Sequence, residues 1–397
     1  MGPNDAVAEL ERTDGEIATQ DNQPVSQTCT VCPTHVTKIS GPDEVYLGQT
    51  YTFKVEEYSR EIQGDYWQEK VSWEVSLYRE PEVWGPDRRQ SVEKIVLSNH
   101  GEELSLAIKE EWAFLDMQVF AYINMPVDDV SIKPKVRGAW AVTNTWSAQK
   151  ISEYRTYTKT TADTFFRGNV QTFVCEDFAT TLVMQFAREN NLPFKISNGT
   201  GLYDAKEYHY SEHDHGGKHM PFDQVMLKTT GAPDLNPANQ PNTVPIVDSV
   251  DASSYNAALQ ANIVKSGMVH IMDTNKNGIT NHIQVITDID VQMTPPYANR
   301  PLTTIVPPYR GEFVMAKIEI HQGNFPDNTT AVMRGTGAFL SWDEEEDMYS
   351  YWYLGVPVQK GVYEMPSGNY TRNGGTSTGL LFQQAQAVVD WNFSSWN

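Results

Sequence analysis

Residues 173–190 read FVCEDFATTLVMQFAREN, and this stretch decides the fold of the second half of the chain. Its apolar residues recur three and four positions apart, a spacing that puts them on one face of an α-helix. Glu176 and Asp177 come in the first turn, where the helix dipole favours negative charge. The stretch therefore predicts an amphipathic helix that begins at Cys175.

Cys175 lies where a cysteine side chain can react. The unpaired N–H groups at a helix N-terminus lower the pKa of a thiol, and the thiolate is the nucleophilic form. The same groups can hold an oxyanion, so the Cys175 N–H is the natural first donor of an oxyanion hole. Gln171, four residues upstream, is a candidate second donor, with a solvated loop residue as the alternative. The alternative for Cys175 is a small buried residue without reactivity.

A cysteine nucleophile needs a base, and His282 is the candidate. It begins residues 282–290, HIQVITDID, whose apolar and polar residues alternate as in a strand. Residues 266–272, SGMVHIM, predict the preceding strand, and the turn-rich residues 273–278 between the two predict a β-hairpin. Both strands are expected in one sheet that faces the Cys175 helix.

The order of these pieces resembles a known family. A helix that opens on Cys-Glu-Asp-Phe-Ala, a glycine-led strand, a strand that opens on His282 and the later residues 318–324, IEIHQGN, are similar to the papain-like superfamily of NlpC-type and CHAP-type amidases. The resemblance covers the chain from about residue 140 onward. It implies a papain-like catalytic domain, and it puts Asn324 at the position of the triad residue that orients the imidazole.

The third triad residue must accept a hydrogen bond from the second nitrogen of the imidazole. Asp288 and Asp290 are the alternatives to Asn324. Both follow His282 on its own strand, where a side chain rarely reaches back six or eight residues.

The remaining sequence predicts a multidomain chain. Residues 1–35 are polar with few large apolar side chains, as in a flexible tail. Residues 36–135 consist of short alternating runs between turn residues, which predicts an all-β Ig-like sandwich with Trp73 as a core residue. Residues 136–397 are expected to form the α+β papain-like domain. Within it, residues 199–254 are rich in Gly, Pro, Asn, Asp and His and are predicted to be an inserted functional loop.

Charge and composition exclude several classes of partner. The formal net charge of -21 repels nucleic acid and anionic lipid surfaces, so neither is an expected partner. No apolar run approaches the roughly 20 residues that span a bilayer, and the N-terminus carries no secretory signal. With only three cysteines, the chain has no disulfide framework. Synthesis in a reducing bacterial cytoplasm is therefore expected.

Histidines cluster within the predicted loop. Neutral imidazoles can bind zinc, which makes four of them weak metal candidates: His209, His213, His215 and His219. The segment lacks the helical H-E-x-x-H pattern, and a solvated loop at the rim of a substrate site is the default interpretation. We therefore expect no metal and no cofactor.

These residues predict a thiol-dependent amide hydrolase. A sandwich followed by such a domain is similar to effector toxins of bacterial type VI or related contractile injection systems. That resemblance implies a peptide or peptidoglycan substrate, a carrier in the secretion apparatus, an immunity protein, and delivery outside the cell without a signal peptide. Two alternatives remain open, namely acyl transfer as in transglutaminase-type or deamidase toxins, and a non-catalytic structural or binding component of the injection apparatus.

Overall fold

The structure is a computed structural model that describes residues 35–59, 68–79, 90–123, 130–168, 172–199, 201–209, 221–292, 315–323, 339–343, 348–352 and 356–397. It consists mostly of β-sheet with few helices. None of the described helices combines the length and the apolar composition needed to cross a bilayer.

The described part of the N-terminal region contains strands and two short 3₁₀ helices. Its strands are β1 (Val36–Ser40), β2 (Glu44–Tyr46), β3 (Thr50–Tyr58), β4 (Ser72–Arg79), β5 (Gln90–Leu97), β6 (Glu103–Ala107), β7 (Asp116–Tyr122), β8 (Ser131–Ile132) and β9 (Lys135–Arg137). They form antiparallel sheets in the orders β1-β3-β6 and β5-β4-β7-β8, and a parallel pair of β2 and β9.

One apolar core holds these sheets together. Trp73 is fully buried on β4, and its indole N–H donates to the Gly101 carbonyl at 2.8 Å. Phe53 of β3 and Leu104 of β6 belong to the same buried cluster. Because side chains alternate along each strand, the apolar residues of both sheets meet between them. The predicted all-β N-terminal region and the core position of Trp73 are confirmed.

The second half of the chain adds six α-helices among the described residues. They are α1 (Ala148–Gly168), α2 (Cys175–Glu189), α3 (Phe222–Thr229), α4 (Ala252–Gln260), α5 (Leu380–Gln384) and α6 (Phe393–Trp396). Its described strands are β10 (Thr172–Phe173), β11 (Lys195–Asn198), β12 (Gly201–Asp204), β13 (Thr243–Val247), β14 (Val269–Met272), β15 (His282–Gln292), β16 (Met315–Gln322), β17 (Phe339–Asp343), β18 (Met348–Trp352), β19 (Val356–Pro357), β20 (Gln359–Met365), β21 (Asn369–Arg372), β22 (Gly375–Ser377) and β23 (Ala385–Trp391).

An eight-stranded antiparallel sheet organises this half, in the order β13-β23-β14-β15-β16-β20-β21-β22. Helices α1 and α2 pack on one face of it, where Ile283 and Val285 of β15 join their core. The opposite face packs under α4, with Tyr255 of α4 and Ile286 of β15 in one cluster. The centre of the sheet is buried on both faces, and α2 packs against β15 on one of them.

In the described part of residues 199–254, which the sequence predicts to be an inserted loop, the structure shows helices and strands. This stretch contains β12, α3, the 3₁₀ helix Ala232–Leu235, β13 and the first residues of α4. Strand β13 pairs with β23 through Thr243↔Trp391, a partner far along the chain. Each element is short, and long-range pairing and burial stabilise it, so the local Gly, Pro and Asn content gave no signal of order.

Candidate active site

Cys175 is the first residue of α2, as the sequence predicts. Val174, in extended conformation, precedes the helix, and the Cys175 side chain is only 3% exposed. Phe178 and Leu182 follow one and two turns later on the buried side of the helix. The amphipathic pattern thus buries the thiol together with the apolar face.

The start of α2 meets the start of β15. Two backbone N–H groups, those of Ile283 and Glu176, hydrogen-bond the Cys175 sulphur and favour its ionised form, but burial and the charge of Glu176 outweigh them and raise the pKa of the thiol. Ile283 directly follows His282 on β15. The nucleophile and base predicted from the sequence therefore lie at two elements that the fold brings together.

His282 is buried and held by an amide. Its Nε2 lies 2.9 Å from Oε1 of Gln322, on the neighbouring strand β16. An amide oxygen only accepts hydrogen bonds, so Nε2 carries the hydrogen and Nδ1 keeps its lone pair. Burial lowers the pKa of His282 to about 4, so the imidazole is neutral at pH 7. Nδ1 is thus available to accept a proton.

The thiol and the imidazole do not share a hydrogen bond in this structure. The Cys175 thiol instead donates to Oε2 of Glu176 at 2.9 Å. Side chains alternate along β15, so Ile283 faces α2 while His282 and Gln284 face the other side of the sheet. A direct transfer of the thiol proton to His282 requires the imidazole to turn towards the sulphur.

The first turn of α2 is acidic and buried. Glu176 and Asp177 are 9% and 8% exposed. Burial, together with the nearby charge of Glu176, raises the pKa of Asp177 to about 9, and burial raises that of Glu176. Burial and the charge of Glu176 also raise the pKa of the Cys175 thiol well above its ordinary value. Cys175 is therefore a protonated thiol at neutral pH in this arrangement.

The residue that orients His282 is Gln322 rather than an aspartate of β15. Asp288 forms an ion pair with Lys159 of α1 at 2.8 Å. It lies six residues along the strand from His282, about 20 Å away at the rise of an extended chain, and Asp290 lies farther still. Neither Asp288 nor Asp290 therefore lies close enough to orient His282. Asn324 and Gln171 lie outside the described residues.

Sequence reasoning missed Gln322 and the contact between Glu176 and the thiol. Gln322 lies within the stretch IEIHQGN, two residues before Asn324, and is fully buried. No local signal marks it, because its burial and its position beside the His282 strand come from the pairing of β15 with β16. Glu176 was interpreted only as a favourable charge at a helix start, because local sequence does not reveal its burial.

The metal hypothesis receives no support from the described residues. His209 is buried, whereas His213, His215 and His219 lie outside the residues that the structure describes. Within the described ranges, no three side chains of His, Cys, Asp or Glu are grouped so as to hold a metal ion.

Comparison with family models, with curated proteins and with solved structures finds no match for this chain.

Proposed function

We propose that the chain is a thiol-dependent amide hydrolase with a papain-like catalytic domain, Cys175 as the nucleophile and His282 as the base. One observation carries the proposal. The N-terminus of α2 presents Cys175 to the first residues of β15, where an amide oxygen of Gln322 holds Nε2–H of His282 and leaves Nδ1 as a base. Nucleophile, base and orienting group are the three parts that cysteine hydrolysis needs.

The reaction has two steps, formation of a thioester on Cys175 and hydrolysis of that thioester. The His282 imidazole turns towards the sulphur, and its Nδ1 takes the thiol proton. The Cys175 sulphur then bonds to the carbonyl carbon of the amide, and N–H groups at the start of α2 hold the oxyanion. The carbon–nitrogen bond then breaks, and the amine leaves with the proton from His282. Water, deprotonated by His282, attacks the thioester, and the carboxylic acid and the free thiol are released.

The substrate class follows from the resemblance to injected effectors. We infer a peptide or peptidoglycan amide as substrate, with a carrier in the secretion apparatus and an immunity protein as partners. Acyl transfer to an amine uses the same residues up to the thioester and differs only in the acceptor. The Ig-like assignment of the N-terminal sheets belongs to the same proposal.

A second candidate is a non-catalytic component of the apparatus. The observation that favours it is the burial of Cys175 together with the raised pKa of its thiol. In that case Cys175 is a packing residue, and neither His282 nor Gln322 affects its reactivity.

Alkylation of Cys175 by iodoacetamide distinguishes the two. A Cys29→Ser/Cys32→Ser background restricts labelling to Cys175, since the chain has three cysteines. We expect His282→Ala to slow alkylation at pH 7.5, because the thiol then lacks the base that would take its proton.

The matched control for His282→Ala is His270→Ala. His270 is also buried, on the neighbouring strand β14, but its Nε2 contacts the hydroxyl of Tyr255 at 2.8 Å. In the His270→Ala variant, iodoacetamide should alkylate Cys175 at the wild-type rate. Equal rates in all three proteins, together with no amine release that depends on Cys175, would make Cys175 structural. Release of new amines from peptidoglycan or denatured protein, lost in Cys175→Ala, would then identify the substrate of the active protein.

A further inference from the structure

Glu176 is the polar side chain in direct contact with the nucleophilic atom. The Cys175 thiol donates to its Oε2 at 2.9 Å, and the two residues are neighbours in the first turn of α2. The contact is made inside the protein, where both side chains are nine-tenths buried or more. Water therefore screens the carboxylate very little, and its charge acts on the sulphur at close range.

Glu176 carries its charge only above its raised pKa, and the described surroundings add no cation that would lower that pKa. Asp234, in the 3₁₀ helix packed against α2, adds a like charge that further raises the pKa of Glu176. Asp177 follows in the same turn, and His282, at the start of β15, is neutral at pH 7. Among the described residues, no lysine or arginine pairs with Glu176. The N–H groups at the start of the helix are the only positive contribution that the described contacts provide.

Two opposite influences therefore meet at the Cys175 sulphur. The N–H groups of Ile283 and Glu176 stabilise a thiolate, as a catalytic cysteine requires. The Glu176 carboxylate instead accepts the thiol hydrogen and repels the negative charge that ionisation would create. An uncharged side chain at position 176 would leave the N–H groups that stabilise a thiolate and would remove the charge that repels it.

We propose that Glu176 keeps the Cys175 thiol protonated in the substrate-free protein, and that the nucleophile becomes reactive when the carboxylate leaves the sulphur. The proposal rests on the assignment of Cys175 as the nucleophile. An amide carbonyl that enters the site would take the place of the carboxylate beside the sulphur. Glu176 thus restrains the thiol in the free protein and releases it in the complex.

The test is the pH titration of the thiol in the full chain, with Cys29→Ser/Cys32→Ser as background. Thiolate absorbance in the ultraviolet and the rate of iodoacetamide labelling both follow ionisation, and the absorbance does not depend on access of a reagent. Glu176→Gln keeps the shape of the side chain and removes its charge. A close like charge shifts a pKa by about 1–3 units, so the midpoint should fall by at least about one pH unit, which raises the thiolate fraction about tenfold at a fixed pH.

Asp177→Asn is the matched control. Asp177 lies in the same turn with nearly the same burial, and it does not contact the sulphur. Its substitution should move the midpoint by less than about half a unit. Glu176→Asp, which keeps the charge but withdraws it from the sulphur, should give an intermediate midpoint and provides a second variant if Glu176→Gln does not fold.

An unchanged or higher midpoint in Glu176→Gln, or in Glu176→Asp where only that variant folds, would overturn the proposal. The result is independent of the hydrolase assignment. A lowered midpoint in Glu176→Gln with no effect of His282→Ala on alkylation would keep the role of Glu176 and reject the base. An unchanged midpoint in Glu176→Gln together with slower alkylation in His282→Ala would keep the hydrolase assignment and reject the role of Glu176.

Discussion

Asp177 is a carboxyl that the fold keeps neutral. Burial and the adjacent charge of Glu176 raise its pKa from 3.8 to about 9. Because the folded-state pKa is the higher one, the folded chain holds a proton that the unfolded chain has lost. The contribution of Asp177 to stability is therefore fully present below pH 3.8 and falls as the pH rises towards 9.

The size of this loss follows from the same values. Holding Asp177 neutral at pH 7, more than three pH units above its ordinary pKa of 3.8, costs the folded protein about 4 kcal/mol. At pH 5 the cost is under about 2 kcal/mol. Asparagine has the shape of the neutral acid and no proton to bind. We therefore expect Asp177→Asn to stabilise the protein by up to about 4 kcal/mol at pH 7, and by much less at pH 5.

Urea unfolding of both proteins at pH 5, 7 and 8.5, followed by tryptophan fluorescence, measures the difference. Trp146 packs in the same core as α2 and reports on this region. Glu189→Gln, an exposed residue at the end of α2, is the control and should change stability by less than about 0.5 kcal/mol at every pH. A change in stability that is the same at all three pH values, or a destabilised Asn variant at pH 7, would refute the reasoning.

Two further predictions test the packing around the site. In Gly323→Ala, the added methyl group would meet the carbonyl oxygens of Phe173 and Val174 at 2.5 Å, just before Cys175 in the chain. We therefore expect the free energy of unfolding, measured in urea, to fall by about 1–3 kcal/mol. A decrease below about 0.5 kcal/mol would contradict this packing. Burial lowers the pKa of His270 to about 4, so its stabilising effect is complete above pH 6.5 and is lost as the pH falls towards 4. The stability of wild type relative to His270→Gln should therefore fall by about 2 kcal/mol between pH 7 and pH 4.5, and a difference that does not vary with pH would show that His270 is not buried in its neutral form.

Elements with a strong local pattern were predictable from the sequence. Helix α2 begins at Cys175, and β15 begins at His282, as their apolar spacings indicate. Helices and strands of this kind carry their period within one stretch of chain, so neighbouring residues suffice to predict them. Trp73 was predictable as a core residue for the same reason, since it lies at an inward position of an alternating strand.

Elements that depend on distant partners were not predictable. Strand β13 is stabilised by β23, which lies more than a hundred residues further along the chain, and its own sequence includes a proline. Asp288 was a reasonable partner for His282 by residue type alone. The ladder between β15 and β16 brings Gln322 to His282 instead, and no local period encodes that pairing.

The sequence by itself determined which residues can do chemistry and which elements carry them, because helix and strand periods, and the charge at a helix start, are local properties. The tertiary structure alone decided their environment. It joined the N-terminus of α2 to the start of β15, gave His282 the amide of Gln322, and buried Glu176 against the thiol. Protonation depends on charges a few ångströms away and on burial, and burial is set by contacts between segments that are remote in the chain.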